Sequence, residues 1–426
     1  MRPISGFTSC AARSRMHDAL APLLGASPGS GPPGSPNLSS RFSATPLALI
    51  AGGGPAGDAV AAGLRDAGFG GEIVLVGAEP EPPYERPHLS KGYLMGTVPR
   101  EKLGLRPAEQ YRELGVELLL GERVADLGVE RRAAELDSGK QVSWDVLCIA
   151  TGSSARRLEG FDDALYLREL PDADALRAVL ESCRPLDVIG AGFIGCEVAA
   201  AARACGCSVN VYEALAQPLL RVLGPRLGDY LADVHRSHGV EMHLGVKALP
   251  RLEAPVVGVG SKPRTELAEL AGLDLAAGIV VDELGRTSAT GVFAAGDVTR
   301  FWSPLYEAPI RVEHFQTAQR QGFAVGRAMA GAVDAYSEVP WFWSDQYELN
   351  LQYAGAGLPW DEVVVRGAFG EPPFAVFYLQ AGTLVAVAGV NDHHTVARAR
   401  RVMQERARVT REQLADPRFD LRRALP

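Results

Sequence analysis

The sequence lacks three features that would each point to a particular class of protein. No stretch approaches the roughly 20 apolar residues of a membrane-spanning helix, and the nearest segment, residues 44–64, contains Asp58, two prolines and five glycines. The six cysteines form no CxxC pair and no regular spacing, which favours a reduced, intracellular setting. Positive charge is not in excess, since 43 Lys and Arg stand against 51 Asp and Glu. The sequence therefore predicts a cytoplasmic protein that binds neither nucleic acid nor a membrane, and it predicts no metal site.

The first 45 residues have a composition of their own. They are rich in Ser, Gly, Pro and Ala, and they contain four arginines but a single acidic residue, Asp18. Such a segment buries too little apolar surface to offset the entropy of ordering, so disorder is expected. Two interpretations stay open: an organelle transit peptide, which is Arg- and Ser-rich and poor in acids, or a disordered leader or overcalled start codon.

Glycine is abundant, with 47 residues, and its first cluster follows an apolar strand that ends at Ile50. Gly52, Gly54 and Gly57 fit the pattern GxGxxG between this strand and a predicted helix. The first glycine makes the tight turn, the second lets the backbone approach a pyrophosphate, and the third lets the helix pack on the strand. Glu79, after the next strand, is placed to bind ribose hydroxyls. The cluster predicts a dinucleotide at the helix N-terminus.

A second cluster repeats the same arrangement. Gly190, Gly192 and Gly195 again lie between an apolar strand and a helix, and Glu213 ends the following strand. This acid lies close to the spacing of about 20 residues that the dinucleotide-binding pattern requires. Two complete patterns predict two dinucleotides, and the economical pairing is a flavin in one and a nicotinamide in the other.

Six ordered motifs within residues 47–403 resemble one family. They are PYERPHLSK at 83–91, IATG at 149–152, GAGFIGCE at 190–197, GVFAAGD at 291–297, EHFQTA at 313–318 and WFWSDQY at 341–347. The chain resembles the FAD-dependent NADH:ferredoxin reductases that serve cytochrome P450 and aromatic-ring dioxygenase systems. The implied fold class is α/β, with two Rossmann-like dinucleotide-binding domains of the glutathione-reductase type and a C-terminal α+β domain.

The resemblance implies roles for single residues on the flavin side. These are Gly52, Gly54, Gly57 and Glu79 at the adenosine diphosphate portion of FAD, Arg86 and Lys91 along the flavin, Asp297 at the ribitol chain, and Thr151 and Gly152 at the crossing between the two domains. Phe315 and Trp343 lie near the isoalloxazine in this reading, and plain core packing is the alternative for both.

On the nicotinamide side, the implied NADH-binding residues are Gly190, Gly192, Ile194, Gly195, Glu213 and Gly260. Lys91 and Glu197 are the implied catalytic pair, which meets near the flavin N5 and the nicotinamide. The alternative for Glu197 is stabilisation of a helix N-terminus by an acidic residue. The residues just beyond the first strand–helix–strand unit contain no cysteine, so the dithiol chemistry of glutathione-reductase relatives is not expected there.

One departure from the family pattern concerns the segment after Gly245. About ten residues, 246–255, join two strands that the family separates by a small antiparallel meander, so about 20–30 residues are missing. We expect this loss to leave a strand edge unpaired and apolar surface exposed, which would make the NAD-binding domain locally unstable. The alternative is a gap in the gene model.

The predicted domains are a leader at 1–45, an FAD-binding domain at 46–157 and 278–332, a shortened NAD-binding domain at 158–277, and a C-terminal domain at 333–426. In the last of these the sequence predicts strands at 362–366, 374–379 and 383–389 and a helix at 395–407.

The predicted function is transfer of electrons from NADH through FAD to a [2Fe–2S] ferredoxin, by a monomer or weak homodimer. Nine arginines in residues 398–426, with Arg311 as a further candidate, predict a docking face for an acidic ferredoxin, and a merely solvated helix face is the alternative. The rival functions are a redox sensor similar to apoptosis-inducing factor or another NADH-dependent flavin reductase.

Overall fold

The computed structural model describes residues 45–426, so nearly all of the predicted leader lies outside the described residues. The first elements are β1 (Leu47–Ala51), α1 (Pro55–Asp66), β2 (Glu72–Gly77), α2 (Ala108–Glu113), β3 (Val116–Leu120), β4 (Val124–Gly128), β5 (Ala133–Leu136), β6 (Gln141–Ser143), β7 (Val146–Ile149) and β8 (Ser153–Ala155). They are followed by β9 (Leu165–Tyr166), α3 (Leu170–Glu181), β10 (Leu186–Ile189), α4 (Phe193–Ala204), β11 (Val209–Glu213), α5 (Leu220–Ser237), β12 (Val240–Leu244), β13 (Val256–Val257), β14 (Ser261–Pro263) and α6 (Glu266–Leu270).

The remaining elements belong to the last third of the chain. They are β15 (Ile279–Val281), β16 (Val292–Ala294), β17 (Thr299–Ser303), β18 (Ala308–Ile310), α7 (Phe315–Met329), β19 (Trp341–Gln346), β20 (Leu349–Gly355), β21 (Glu362–Arg366), β22 (Phe374–Gln380), β23 (Thr383–Val390), α8 (His393–Gln404) and α9 (Arg411–Ala415). Among residues 45–426, no helix is long and apolar enough to cross a membrane.

The first sheet is parallel and has the strand order β16-β7-β1-β2-β3. Strand β1 lies at its centre, and Leu49 and Ile50 are fully buried on opposite faces. Helices α1 and α7 cover one face, while the small antiparallel sheet of β4, β5 and β6 covers the other together with α6. Burial on both faces explains why β1 is a continuous apolar run rather than an alternating one.

The second sheet is also parallel, with the order β12-β11-β10-β13-β9. Strand β10 is its centre and leads into α4, as β1 leads into α1. The two halves are joined where β8 pairs antiparallel with β14, because there the chain runs from the first sheet to the second and back. Strand β1 ends against residues 150–151 just before β8, and β10 ends against residues 258–259 just before β14, so both strands end beside this connection.

The segment 246–255 joins β12 to β13 without leaving the sheet open. Strand β13 pairs with β10 on one side and with β9 on the other, and both of its residues are buried. Leu249 and Leu252 of the joining segment pack with Tyr166. The segment thus supplies its own apolar side chains to the core, and the edge strands of the sheet are β12 and β9 rather than β13. Local instability of this half stays a prediction. The domain boundaries and the shortening itself stay predictions.

The C-terminal region is an antiparallel sheet with the order β19-β20-β23-β22-β21, covered by α8. The three predicted strands are β21, β22 and β23. Of the two other strands, β19 contains most of the motif WFWSDQY and β20 follows it. Helix α8 begins two residues earlier than predicted, because the Asp392 side chain accepts a hydrogen bond from the Thr395 amide at 3.1 Å. It ends at Gln404, since Arg406 adopts a φ of +49° and turns the chain.

Candidate functional site

Both glycine turns open onto one cleft of about 1320 Å³. The cleft lies at the carboxyl ends of β1 and β10, where parallel α/β sheets place their ligands. Its volume exceeds the roughly 300–1,000 Å³ of an ordinary small-molecule pocket, so there is room for more than one such ligand. Except for Gly57 and Gly195, every predicted site residue lines this cleft.

Each of the three glycines in the first turn occupies its position for a different physical reason. Gly52 has a φ of +135°, and a Cβ there would overlap the carbonyl group of Ala150, the residue after the neighbouring strand β7. A Cβ on Gly54 would meet no atom within 4 Å, because it would point into the cleft. A Cβ on Gly57 would overlap the carbonyl oxygen of Gly52, so this glycine sets the distance between α1 and β1. The predicted division of roles matches this geometry, although contact with a pyrophosphate stays a prediction.

The second turn repeats the pattern. Gly190 has a φ of +97°, and a Cβ there would lie 2.5 Å from the Gly258 carbonyl oxygen. Gly192 borders the cleft, and Gly195 packs directly on the Gly190 carbonyl. Gly195 therefore has the packing role that Gly57 has in the first turn, which explains why neither of them lines the cleft.

The two acids after the second strands are held by different partners. Arg86 Nη2 donates to Glu79 Oε1 and the Tyr84 hydroxyl donates to Oε2, both at 2.5 Å. Glu213 instead accepts the backbone amide of Ala191 at 2.7 Å and that of Leu215 at 2.8 Å. Because a carboxylate can accept about four hydrogen bonds, each acid keeps capacity for ribose hydroxyls in the cleft.

Asp297 follows β16 and lies at the floor of the cleft. Its Oδ2 accepts from Arg168 Nη2 at 2.9 Å and from Ser153 Oγ at 3.1 Å. Its Oδ1 takes part in none of the hydrogen bonds found among residues 45–426, and it is therefore available to a ligand hydroxyl. Arg168 was not predicted, because an isolated arginine after a two-residue strand carries no sequence signal.

A buried ion pair lies between the two glycine turns. Lys91 Nζ donates to Glu197 Oε2 at 2.8 Å, and the two side chains are 10% and 3% exposed. Ser90 also donates to Oε2, and Ser344 Oγ donates to Oε1 at 2.6 Å. The predicted contact between Lys91 and Glu197 is thus present. The alternative role of Glu197, stabilising the N-terminus of α4, does not explain why three side chains donate hydrogen bonds to it. Neither serine was singled out from the sequence, although both lie within recognised motifs.

Aromatic side chains line the cleft beside this ion pair. Phe315 and Trp343 meet edge to face at a centroid distance of 6.5 Å, and Trp341 stacks on Trp343 at 5.6 Å. The ring centroids of His314 and Phe342 are 4.4 Å apart. The Nδ1 atom of His314 is shielded from solvent and has no hydrogen-bond partner among residues 45–426. Burial lowers the pKa of His314 to about 4, so its ring is neutral. His314 was missed as a site residue.

The connection between the two halves also borders the cleft. The Thr151 hydroxyl donates to the Arg264 carbonyl at 2.8 Å, and the Arg264 amide donates to Gly152 at 3.0 Å. Gly260 accepts the amide of Arg156 on the neighbouring segment, and Ile194 is 39% exposed toward the cleft. These contacts agree with a crossing point at Thr151 and Gly152, while cofactor contact by Gly260 and Ile194 stays a prediction.

Comparison with known protein families decides the affiliation. Residues 48–249 and 251–322 match the pyridine nucleotide-disulphide oxidoreductase family, and residues 341–425 match the reductase C-terminal family. The chain belongs to the pyridine nucleotide-disulphide oxidoreductases. Among the described cysteines of this member, none lines the cleft, so the dithiol implied by the family name is not located there.

Characterised relatives of the chain cover most of its length. Rhodocoxin reductase of Rhodococcus erythropolis is 38% identical over 400 residues, which is 88% of this chain and 94% of that protein. The ferredoxin–NAD(+) reductase component of the anthranilate 1,2-dioxygenase system of Burkholderia cepacia is 38% identical over 406 residues, 89% of this chain and 99% of that one. The family resemblance recognised in the sequence motifs is thereby confirmed.

Solved structures confirm the fold class. The covalent putidaredoxin reductase–putidaredoxin complex superposes with a TM-score of 0.86 at 33% identity, covering 90% of this chain and 98% of that one. The ferredoxin reductase for the CYP199A2 system of Rhodopseudomonas palustris gives a TM-score of 0.84 at 37% identity, with 89% and 100% coverage. The family match is interrupted at residue 250, inside the segment that the sequence predicts to be shortened.

Proposed function

We propose that this protein is an NADH:ferredoxin reductase that passes electrons through FAD to a [2Fe–2S] ferredoxin. The observation that carries the proposal is the placement of the Lys91–Glu197 ion pair in one cleft, between two complete dinucleotide-binding turns. One turn would hold the flavin and the other the nicotinamide, so that donor and acceptor rings meet beside the pair. Two relatives, from the anthranilate 1,2-dioxygenase and p-cumate 2,3-dioxygenase systems, are named as ferredoxin–NAD(+) reductase components.

The residues of the first half fit FAD. Gly54 leaves the backbone open where a pyrophosphate would approach, and the α1 N-terminus supplies amide groups for an anion. Asp297 offers its free oxygen to a hydroxyl of the ribitol chain, and Glu79 offers its remaining lone pairs to the adenosine ribose. When bound, the flavin supplies the exchange between two-electron and one-electron transfer.

The residues of the second half fit NADH. Glu213 would accept hydrogen bonds from the adenosine ribose hydroxyls and would repel the 2′-phosphate of NADPH. Arg221 and Lys247 also line this part of the cleft and reduce that repulsion. Lys91 would place a positive charge beside the reacting rings, and Glu197 with its two serine partners holds this ammonium group in position.

A ferredoxin would receive the electrons one at a time at the protein surface. The nine arginines of residues 398–426 are the proposed docking region, but five of them form ion pairs, namely Arg400, Arg406, Arg411, Arg418 and Arg422. Arg311 is likewise paired with Glu313. The attraction for an acidic partner would therefore come mainly from the other four, Arg398, Arg401, Arg408 and Arg423. A cytoplasmic location and a monomer or weak homodimer complete the proposal.

The test is NADH-dependent reduction of ferricyanide, compared with reduction of cytochrome c with and without added [2Fe–2S] ferredoxin. Rapid turnover with ferricyanide, and cytochrome c reduction that depends on ferredoxin, are expected. Slow turnover with every acceptor would instead indicate a redox sensor, and ferredoxin-independent turnover would indicate a different flavin reductase.

A further inference from the structure

The Lys91–Glu197 pair is the start of a longer chain of buried polar groups. Gln346 Nε2 donates to Ser344 Oγ at 3.1 Å, and Gln346 Oε1 lies 3.0 Å from His235 Nε2. His235 Nδ1 lies 3.0 Å from the Tyr347 hydroxyl. Ser344, Gln346 and His235 are each at most 2% exposed. The chain thus runs from the cleft to a hairpin turn without a break.

Strand alternation explains why one strand serves both the cleft and this chain. Residues two apart on a strand share a face, so Trp341 and Trp343 lie on one face of β19 while Ser344 and Gln346 lie on the other. The second face packs on α4, which carries Glu197, and Gln346 reaches His235 on α5. The strand therefore links the C-terminal sheet to two helices of the second half, α4 and α5.

The direction of the hydrogen bonds matters for Glu197. A serine hydroxyl has a single hydrogen, so Ser344 donates to Glu197 only if its other neighbour does not need that hydrogen. Gln346 meets this condition when its NH₂ group faces Ser344. If the amide were reversed, its oxygen would take the serine hydrogen, and Glu197 would face an oxygen lone pair instead of a donor.

The orientation of the Gln346 amide is set by its other neighbour. An N–H at His235 Nε2 requires the amide oxygen, while an N–H at Nδ1 would make Nε2 an acceptor and reverse the amide. The structure has the first arrangement, with Gln346 Oε1 toward His235 and Gln346 Nε2 toward Ser344, and the Tyr347 hydroxyl then donates to Nδ1. Burial lowers the pKa of His235 to about 4, so the ring carries one N–H at neutral pH.

The hairpin turn supports a role for Tyr347. This residue has a φ of +56° in the two-residue turn between β19 and β20, where Asn or Gly is usual. Its ring stacks on His238 at 3.7 Å, which holds the hydroxyl against His235. The contact of the Tyr347 hydroxyl with His235 gives a reason for a tyrosine at a position that favours Asn or Gly.

We infer that Gln346 and His235 are positioning residues, which orient the Ser344 hydroxyl toward Glu197 and so hold the Lys91–Glu197 pair in place for the reaction. The expected effect on the reaction rate rests on the proposed function. The direction of the hydrogen bonds in the chain does not depend on that function. The chain does not serve as a proton path, because a primary amide in the middle does not pass protons along as a hydroxyl does.

The first test uses the wild-type FAD-loaded protein with ¹⁵N-labelled histidine. The signal of His235 is assigned from its loss in His235→Gln, and its ¹⁵N shifts report which ring nitrogen carries the proton. We expect the neutral Nε2–H form. An Nδ1–H form would overturn the inference, because the amide of Gln346 would then be reversed.

The second test compares His235→Leu with His235→Gln, since a glutamine side chain can place an N–H where Nε2 lies. We expect the leucine variant to reduce bound flavin with NADH about tenfold more slowly, the size expected for one lost hydrogen bond. FAD content and the KM for NADH should not change, and the glutamine variant should recover most of the rate. His394→Gln, which changes an exposed histidine at the start of α8 outside the chain, is the control and should match the wild type.

Equal rates in the leucine variant and the wild type would overturn the positioning role, as would equal losses in both His235 variants. If the leucine variant fails to fold, the ¹⁵N measurement still decides the direction. A wild-type protein whose flavin NADH does not reduce would defeat the proposed function instead, and would leave the ¹⁵N result valid.

Discussion

The two glycine turns have the same geometry but hold their acidic residues in opposite ways. In the first half, Glu79 is fixed by the side chains of Arg86 and Tyr84. In the second half, Glu213 is fixed by two backbone amides, one of them in the glycine turn itself. No side-chain cation neutralises Glu213 within the ion pairs of residues 45–426, so its charge faces the cleft more directly. We therefore expect each glycine pattern to bind a dinucleotide and the partners of the acid to influence which one.

The largest expected effect comes from exchanging the open glycines. A Cβ at Gly54 would meet no protein atom within 4 Å, and one at Gly192 would lie 3.7 Å from the Gly258 carbonyl oxygen, so the backbone has room for the Cβ of Gly54→Val and Gly192→Val. Gly54→Val should lose FAD, with affinity falling about 100-fold or more because the pyrophosphate overlaps the new side chain. Gly192→Val should keep FAD and lose NADH binding. Flavin absorbance and NADH titration measure the two losses, and full FAD content in Gly54→Val would mean that the pyrophosphate is misplaced.

Lys91 lies between the halves, so its loss should affect the reaction more than either binding step. Lys91→Met leaves the Glu197 carboxylate buried without its cation. The rate of flavin reduction by NADH should fall about 100-fold, the usual size for one electrostatic group at a reacting centre. Stopped-flow absorbance measures this rate. The exposed Lys102→Met is the control, and a wild-type rate in Lys91→Met would remove the pair from the mechanism.

The charge of Glu213 should set the choice of nicotinamide. The wild type should prefer NADH over NADPH by about 100-fold, corresponding to 2–3 kcal/mol of like-charge repulsion. Glu213→Gln removes the charge and should bring the two kcat/KM values close together, whereas Glu79→Gln should leave the ratio unchanged. Equal kcat/KM values in the wild type would show that Arg221 and Lys247 outweigh the acid.

Ferredoxin docking should depend on salt by a smaller factor. The Debye length falls from about 10 Å at 0.1 M to about 3 Å at 1 M, so the ferredoxin-dependent rate should fall several-fold over that range. Replacing Arg398, Arg401, Arg408 and Arg423 by Ala should reduce both the rate and its salt dependence. Arg418→Ala, whose guanidinium is already paired with Asp416, is the control. A rate that stays flat with salt would indicate an apolar contact.

The smallest effect is expected at the segment 246–255. Because Leu249 and Leu252 are packed with Tyr166, limited proteolysis should not concentrate between Leu244 and Pro263. Selective cleavage there, with protection by NAD, would show that this half of the molecule is less stable than its contacts indicate.

The sequence predicted the parts of the site that rest on local backbone geometry. Gly52 and Gly190 could be recognised because their positive φ and close backbone contacts require glycine. The family motifs identified the contact between Lys91 and Glu197. Ser90, Ser344 and Arg168 were not predicted, since their role depends on which strands and helices meet. The packing of Leu249 and Leu252 was also not predicted, because a ten-residue segment does not reveal whether its leucines pack inward or face solvent.

The central claim is tested most directly by mixing the purified FAD-loaded protein anaerobically with one equivalent of NADH and then adding oxidised [2Fe–2S] ferredoxin. The account predicts that the flavin absorbance is lost on mixing with NADH and returns as about two equivalents of ferredoxin become reduced, since the flavin exchanges two electrons and each ferredoxin takes one. A flavin that NADH leaves oxidised, or one that NADH reduces but ferredoxin does not reoxidise, would contradict it.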